Sequence, residues 1–69
     1  MIKTIDHTER MRSSVNGNPR WMVFFTDGAS IATSPDSSCA YGINNRNNLA
    51  GPVELTLARG LITRIRPCN

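Results

Sequence analysis

The sequence has few aromatic residues and no long apolar run. Aromatic side chains make up 6% of the 69 residues, and no segment approaches the roughly 20 consecutive apolar residues that a membrane-spanning helix needs. The opening segment, MIKTIDHTERMR, carries charges where a secretory signal requires an apolar centre. We therefore expect neither export nor membrane contact, and we place the protein in the cytoplasm.

Cysteine is also scarce. The chain contains two, Cys39 and Cys68, which form no Cys-x-x-Cys pair and have no nearby histidine, so the spacing typical of a zinc or redox site is missing. In a reducing compartment both are free thiols. Their spacing alone leaves a disulfide between them open.

Side chains that usually carry catalysis are thinly represented. His7 is the only histidine, and His7 with its same-face neighbour Glu9 supplies too few ligands for a catalytic zinc ion. On a regular strand Asp6 and His7 point to opposite faces, so they would be too far apart to act as an acid–base pair. We interpret His7 as an ordinary exposed strand residue.

No other catalytic pattern takes the place of histidine. No serine lies in a Gly-x-Ser-x-Gly elbow, and the five glycines are dispersed, one to a turn, instead of forming a phosphate-binding loop. Cys39 would be a reactive thiol only if it lay near the first turn of a helix, where the helix dipole favours the thiolate. We interpret it instead as a small side chain that packs in the core. We expect no enzymatic activity, no cofactor and no bound metal.

The composition that is present is that of a small folded domain. Apolar residues make up 39% and charged residues 19% of the chain, and we expect one domain, 1–69. A chain of this length hides only about 60% of the surface that its unfolded form exposes, so we expect marginal stability. The formal net charge of +3 permits attraction to nucleic acid but is modest for a dedicated nucleic-acid-binding protein.

Turn signals divide the chain into five runs, most of them rich in Val, Ile, Thr and aromatic residues, which favour strands. The segment SPDSSCAYGINN, between the third and fourth runs, predicts a short helix or a 3-10 turn. Ser34 is its predicted cap and Pro35 its first residue, and Gly42 or the asparagines after it end the helix in a left-handed conformation. The turn signals are NGNP at 16–19, DG at 27–28, NNRNNLAGP at 44–52 and RG at 59–60.

The DG signal predicts a hairpin with a three-residue loop, 26–28. One face of this hairpin carries Met22 and Phe24, opposite Ala32 and Ser30. The other face carries four apolar side chains that we assign to the core. The run that forms its first strand, RWMVFF, is therefore apolar on both faces. The four side chains on the core face are Trp21, Val23, Phe25 and Ile31.

The RG signal predicts a second hairpin. A two-residue loop would demand a positive φ from Arg59 and would set Leu55 against Arg64, whereas a three-residue loop, 58–60, avoids both. We therefore predict the three-residue loop. The pairs that it sets opposite each other are Leu57 and Leu61, Leu55 and Thr63, Val53 and Ile65, and, on the other face, Glu54 and Arg64.

Three strands, a short helix and a two-stranded hairpin define a mainly-β fold class. We predict a small five-stranded barrel of the OB type, with an SH3-like barrel as the near alternative. The register of the first strand is left open. One face of the second strand fills the barrel, and its other face meets the short helix, the N-terminal segment or another subunit, so a homo-oligomer is one expectation.

Three surfaces are candidates for binding. The protein-contact candidates are Met22, Phe24 and Tyr41, together with any unpaired edge of the barrel. The loop INNRNNLAG, 43–51, offers many amide groups around Arg46, although such loops are more often simple connections. The third surface is an Arg-rich face that would hold nucleic-acid phosphates. Its candidate residues are Arg10, Arg12, Arg46, Arg59, Arg64 and Arg66.

The segments NGNPRWMVFFTDG, TSPDSS-AYGI and GPVELTLARGLITRI resemble small uncharacterised accessory proteins of actinobacterial phages. The resemblance covers most of the chain, but its motifs consist of turn and core residues, so it implies a fold and no functional residues. The implied context is a regulator or inhibitor that acts in the host cytoplasm by protein–protein contact or self-assembly. The alternative is a nucleic-acid-binding barrel that uses the Arg-rich face.

Overall fold

The computed structural model describes residues 1–68, which form five strands, a 3-10 turn and a one-turn α-helix. Both helical elements lie between the third and fourth strands, so the predicted mainly-β class with a short helical segment at this point is confirmed. The elements are β1 (Ile2–Met11), β2 (Arg20–Phe25), β3 (Ser30–Ala32), the 3-10 turn (Ser38–Tyr41), α1 (Arg46–Leu49), β4 (Pro52–Ala58) and β5 (Leu61–Pro67).

The five strands form one antiparallel sheet in the order β3-β2-β1-β4-β5. The long central strand β1 pairs with β2 along its C-terminal half and with β4 near its N-terminus, which sets Thr8 opposite Val23 and Lys3 opposite Val53. Within residues 1–68 the sheet does not close, because β3 and β5 approach only around a single parallel bridge between Thr33 and Ile62. The prediction of five strands is therefore confirmed, and that of a closed barrel is not.

The β2–β3 hairpin has the predicted register. Val23 lies opposite Ile31, and the Phe25 N–H donates to the Ala29 carbonyl at 2.8 Å, which closes the three-residue loop 26–28. Gly28 has a φ of 91°, a left-handed conformation that glycine adopts without the clash that a Cβ atom would cause. Met22 and Phe24 consequently face away from the core.

The predicted register of the β4–β5 hairpin is wrong. The loop has two residues, Arg59 and Gly60, with φ values of 54° and 78°, as in a type I′ turn. The twist of this turn matches that of the flanking strands, which offsets a cost of about 1–2 kcal/mol for a left-handed Arg59. The two-residue loop sets Ile62, and not Thr63, in the core, and a β-bulge between Thr56 and Leu57 then sets Ile65 opposite Leu55.

The hydrophobic core lies on one face of the sheet and is completed by the segment between the two helical elements. Ile43, from the loop that the sequence assigns to the surface, is only 1% exposed. The loop is therefore not a simple connection: Ile43 enters the core, and α1 packs against β1, β4 and β5. The buried core residues are Ile5, Val23, Phe25, Ile43, Val53, Leu55 and Ile62.

The 3-10 turn begins later than predicted. Ser37, and not Ser34, is its cap, and the Ser37 hydroxyl accepts a hydrogen bond from the Cys39 N–H. The predicted start is interrupted because Asp36 has a φ of 62°, outside the right-handed helical region. Gly42 ends the turn, as predicted, but with a φ of −117° it is not left-handed.

Both cysteines are free thiols. Cys39 is half-buried against the core, and its sulfur lies 3.6 Å from the Ile62 carbonyl oxygen. This position agrees with the interpretation of Cys39 as a packing residue. Cys68 is exposed just after β5.

Candidate contact surfaces on the outer face of the sheet

The face of β2 that points away from the core carries Met22 and Phe24, both half-buried. Strand pairing sets Glu9 opposite Met22 and His7 opposite Phe24. We call the surface formed by Asp6, His7, Glu9, Met22 and Phe24 the outer patch.

The His7 ring lies flat against the Phe24 ring. The ring centroids are 4.5 Å apart and the planes are 5° from parallel. The two residues are directly opposite on adjacent antiparallel strands, where Cβ atoms are close enough for aromatic side chains to touch. The imidazole therefore covers one face of Phe24 and leaves the rest of this side chain, together with Met22, as an apolar surface.

A bulge in β1 brings a carboxylate to His7 that a regular strand would hold on the other face. The register shifts between Ile5 and His7, and the Asp6 carboxylate lies 2.6 Å from the His7 Nδ1. The prediction that Asp6 and His7 point apart is therefore wrong. Glu9 shares the face of His7 as predicted, with its carboxylate 3.7 Å from Nε2.

The outer patch combines an apolar centre with negative charge. Asp6 and Glu9 flank His7 on β1, beside the apolar side chains of β2. Such a surface suits a partner that presents apolar groups together with lysine or arginine, and it repels phosphate. Across residues 1–68, no group of three or more His, Cys, Asp or Glu side chains is placed to hold a metal ion.

Tyr41, the third predicted protein-contact residue, lies elsewhere. It is exposed on the 3-10 turn, and its hydroxyl donates to the Asn18 side chain in the β1–β2 loop. The structure therefore brings Met22 and Phe24 together but does not add Tyr41 to the outer patch.

The six candidate arginines do not form one surface. Arg10 lies over the Trp21 ring at 5.6 Å and donates to the Arg20 carbonyl at 3.2 Å, so part of its guanidinium is engaged within the fold. Arg12 lines a shallow groove of about 290 Å³ beside Pro35. Arg46 is the first residue of α1, and Arg59 occupies the β4–β5 turn.

The predicted joining of Arg10 and Arg12 with the β5 arginines is not seen. Strand β1 pairs with β4 only over Ile2–Thr4, whereas Arg10 lies opposite Trp21 on β2. The two groups of arginines therefore belong to different halves of the sheet.

Arg64 and Arg66 do share the outer face of β5, as predicted. Arg66 donates to the Glu54 carboxylate from Nε at 3.1 Å and from Nη2 at 2.9 Å. Glu54 thus pairs with Arg66 and not with Arg64, because the two-residue turn and the β-bulge each shift the register by one residue. Arg64 lies opposite Thr56 and makes no ion pair within residues 1–68.

An apolar residue adjoins these arginines. Ile2 lies opposite Glu54 on β1 and is 64% exposed. A shallow groove of about 480 Å³ runs beside Ile2 and Arg66, and a smaller one of about 100 Å³ lies between Thr56 and Arg64. We call the surface formed by Ile2, Glu54, Thr56, Arg64 and Arg66 the arginine face.

Two carboxylates connect separate parts of the chain, and sequence reasoning did not identify either role. The Ser14 hydroxyl and the amides of Asn18 and Asn16 donate to Asp36, which lowers the pKa of that carboxyl. This cluster ties the β1–β2 loop to the segment that precedes the 3-10 turn. Asn16 and Asn18 lie in the NGNP turn signal and Asp36 in the predicted helical segment, but nothing in the sequence pairs these two segments.

The second carboxylate is Asp27, at the β2–β3 turn. Lys3 donates to it, and this contact lowers the pKa of Asp27. The Lys3 ammonium also lies 5.7 Å from the centre of the Phe25 ring. The pair therefore links the N-terminal end of β1 to the turn after β2.

Comparisons with known proteins find no match to this chain among protein families, curated proteins or solved structures. In residues 1–68, no helix has the length and apolar character needed to cross a membrane. Indications of function therefore come from the surfaces of the chain itself.

Proposed function

We propose that this chain is a small non-enzymatic binding protein that contacts another protein through the outer patch. The observation that carries the proposal is that β2 is apolar on both faces, whereas within residues 1–68 the helical elements pack only on the core side of the sheet. The 3-10 turn packs against β5, and α1 packs against β1, β4 and β5, so neither main packing contact is with β2. Met22 and Phe24 remain half-exposed on the uncovered face.

The chemistry of the outer patch supports a protein partner over a nucleic acid. Phenylalanine and methionine are enriched at the centres of protein interfaces. Asp6 and Glu9 add negative charge at the edge, which favours a partner with exposed lysine or arginine and steers its approach. Phosphate groups would be repelled by the same carboxylates.

The order of the strands also supports a particular type of barrel. A sheet order of β3-β2-β1-β4-β5, with a parallel bridge from the end of β3 to β5, is the strand arrangement of an OB-type barrel with an open seam. We propose this barrel as the fold, and a phage-type regulator or inhibitor in the host cytoplasm as the context. The context rests on the sequence resemblance alone.

The test is capture of partner proteins by variants of the outer patch. Tagged wild-type chain is compared with Phe24→Glu and with Leu49→Glu, which places the same charge on an apolar residue that is 42% exposed on α1, outside the patch. We expect Phe24→Glu to lose the proteins that wild type and Leu49→Glu retain, with no effect of nuclease treatment. Thermal unfolding checks that each variant is folded, and Met22→Lys serves as a second patch variant.

Two outcomes count against the proposal. One is that folded Phe24→Glu and Met22→Lys capture the same proteins as wild type. The other is that nuclease treatment releases everything that the wild-type chain retains.

The arginine face supports a second candidate function, the binding of nucleic-acid phosphates. The supporting observation is Arg64, which is exposed without an ion pair in the described chain and lies beside Arg66. Two arginines would release about two counterions, so binding to a generic oligonucleotide should weaken with a log–log salt slope no steeper than about −2. Absence of binding at low ionic strength, or equal binding by Arg64→Ala, eliminates this function.

A further inference from the structure

The outer patch and the arginine face are complementary surfaces of the same chain. The outer patch places two carboxylates, Asp6 and Glu9, beside the half-buried apolar side chains of Met22 and Phe24. The arginine face places Arg64 and Arg66 beside the exposed Ile2. We infer that the outer patch binds the arginine face of a second copy of this chain. This inference rests on the proposed function and names the partner.

Charge decides which faces meet. If two outer patches met, the carboxylates of both copies would be brought together, and two arginine faces would likewise oppose their guanidinium groups. Like charges across an interface suppress association, whereas opposite charges favour it. The contact is therefore between unlike faces, so the outer patch of one copy meets the arginine face of another.

Arg64 is the residue best placed to make the new ion pair. Arg66 already uses two of its donor nitrogens on Glu54, whereas Arg64 faces only Thr56 across the strand pair. On the other copy, Glu9 lies 3.7 Å from the His7 Nε2 and its side chain is 65% exposed, so one carboxylate edge is open to a guanidinium. A pairing of Arg64 with Glu9 fits the exposure of both groups.

The apolar groups complete the match. The groove beside Ile2 has a volume of about 480 Å³ and is lined partly by Pro67 and Cys68. Met22 and Phe24 are the apolar side chains of the outer patch, so their accessible parts would enter this groove. The burial of these side chains supplies the non-directional part of the attraction.

The geometry of the assembly follows from the use of two different faces. The two faces meet either twice in a two-fold dimer or once between successive copies, which then form a ring or an open chain. Both faces are small, so the association is weak and depends strongly on protein concentration. Because its polar part is exposed, it weakens as salt is added.

The test uses one variant for each face. Phe24→Glu disrupts the outer patch and leaves the arginine face intact, whereas Arg64→Glu does the reverse. Sedimentation velocity from micromolar to millimolar protein should show wild type associating, each single variant at least about tenfold weaker, and the mixture of the two variants forming a 1:1 complex. Arg46→Glu reverses an exposed charge outside the arginine face, on α1, and should associate like wild type.

Four results overturn the inference. They are a monomeric wild type at millimolar concentration, self-association of Arg64→Glu equal to that of wild type, the same loss with Arg46→Glu, or a mixture of folded variants that stays monomeric. If wild type is monomeric while Phe24→Glu still loses its captured proteins, the partner is a different protein and the proposed function stands. If the capture is also unchanged, both fail.

Discussion

His7 and Phe24 stand face to face on β1 and β2, with ring centroids 4.5 Å apart. This aromatic pair lies on the outer surface of the sheet. Its contribution to the free energy of unfolding can therefore be measured separately from that of the core. Paired rings contribute about 0.5–1.5 kcal/mol beyond area burial, and the partial exposure of this pair favours the lower end.

A double-mutant cycle measures that contribution. We expect His7→Ala and Phe24→Ala to couple by about 0.5–1 kcal/mol in the free energy of unfolding, because each ring is the other's packing surface. Urea unfolding of the two single variants and the double variant provides the value. His7→Ala combined with Leu49→Ala is the control and should be additive, and additivity of the His7–Phe24 pair itself would contradict the stacking contribution.

Ile43 is expected to be one of the strongest determinants of stability outside the strands. It is 1% exposed, so Ile43→Ala leaves a cavity and should lower the free energy of unfolding by about 2–5 kcal/mol. Leu49→Ala, at an exposed position on α1, should cost less than about 1 kcal/mol. Denaturant titration compares the two, and equal losses would mean that Ile43 is not a core residue.

The β4–β5 turn is expected to gain stability from a residue that tolerates a left-handed backbone. Arg59 has a φ of 54°, and asparagine followed by glycine is the favoured type I′ pair. Arg59→Asn should therefore stabilise the fold by about 0.5–1 kcal/mol. The measurement is the midpoint of thermal unfolding, where 1 kcal/mol corresponds to about 4–8 °C for a domain of this size.

Arg59→Val is the matched control for that prediction. A β-branched side chain at positive φ is strongly disfavoured, so this variant should unfold at a lower temperature than wild type. A rise in stability with valine, or no change with asparagine, would contradict the observed turn.

Stability should depend on acid pH through Asp36. Hydrogen bonds from Ser14, Asn18 and Asn16 lower the pKa of this carboxyl below that of the unfolded chain, which is about 3.9. The stabilising effect of the ionised carboxylate is thus fully present above the unfolded pKa and is lost as the pH falls through the lower, folded pKa.

Asp36→Asn removes that titration. Denaturant unfolding over a pH series should show the largest difference between wild type and Asp36→Asn near neutral pH, with the two curves converging as the pH falls through the lowered pKa of Asp36. Asp27, whose pKa Lys3 also lowers, titrates in both proteins and so cancels in the comparison. Parallel curves throughout the acid range would show that Asp36 does not contribute in this way.

Some of the fold is readable from local sequence. In the β2–β3 hairpin, the Asp27-Gly28 turn and the apolar alternation of the strands require the same register, since a shift by one residue would move Val23 out of the core. The orientation of Met22 and Phe24 follows directly. The positions of Arg64 and Arg66 on one face of β5 follow from the same alternation.

The candidate surfaces themselves were only partly predictable. The bulge after Ile5 turns Asp6 toward His7, and the bulge near Thr56, together with the two-residue turn, moves the partner of Glu54 from Arg64 to Arg66. A β-bulge inserts one residue into a strand, and no characteristic residue type marks these two bulges. The alternation of polar and apolar residues along the sequence therefore does not reveal them. The acidic character of the outer patch therefore became visible only with the strands paired.

By itself the amino-acid sequence determined the number of strands, the places where the chain breaks between them and the two-sided apolar character of β2, because these depend on backbone preferences and on alternation over a few residues. Only the tertiary structure decided where Ile43 lies, how Asp36 joins two distant turns, and which charges surround Phe24. Those features depend on which distant segments pack against each other across the sheet. That packing is set by the burial of apolar surface over the whole chain and not by any short stretch of sequence.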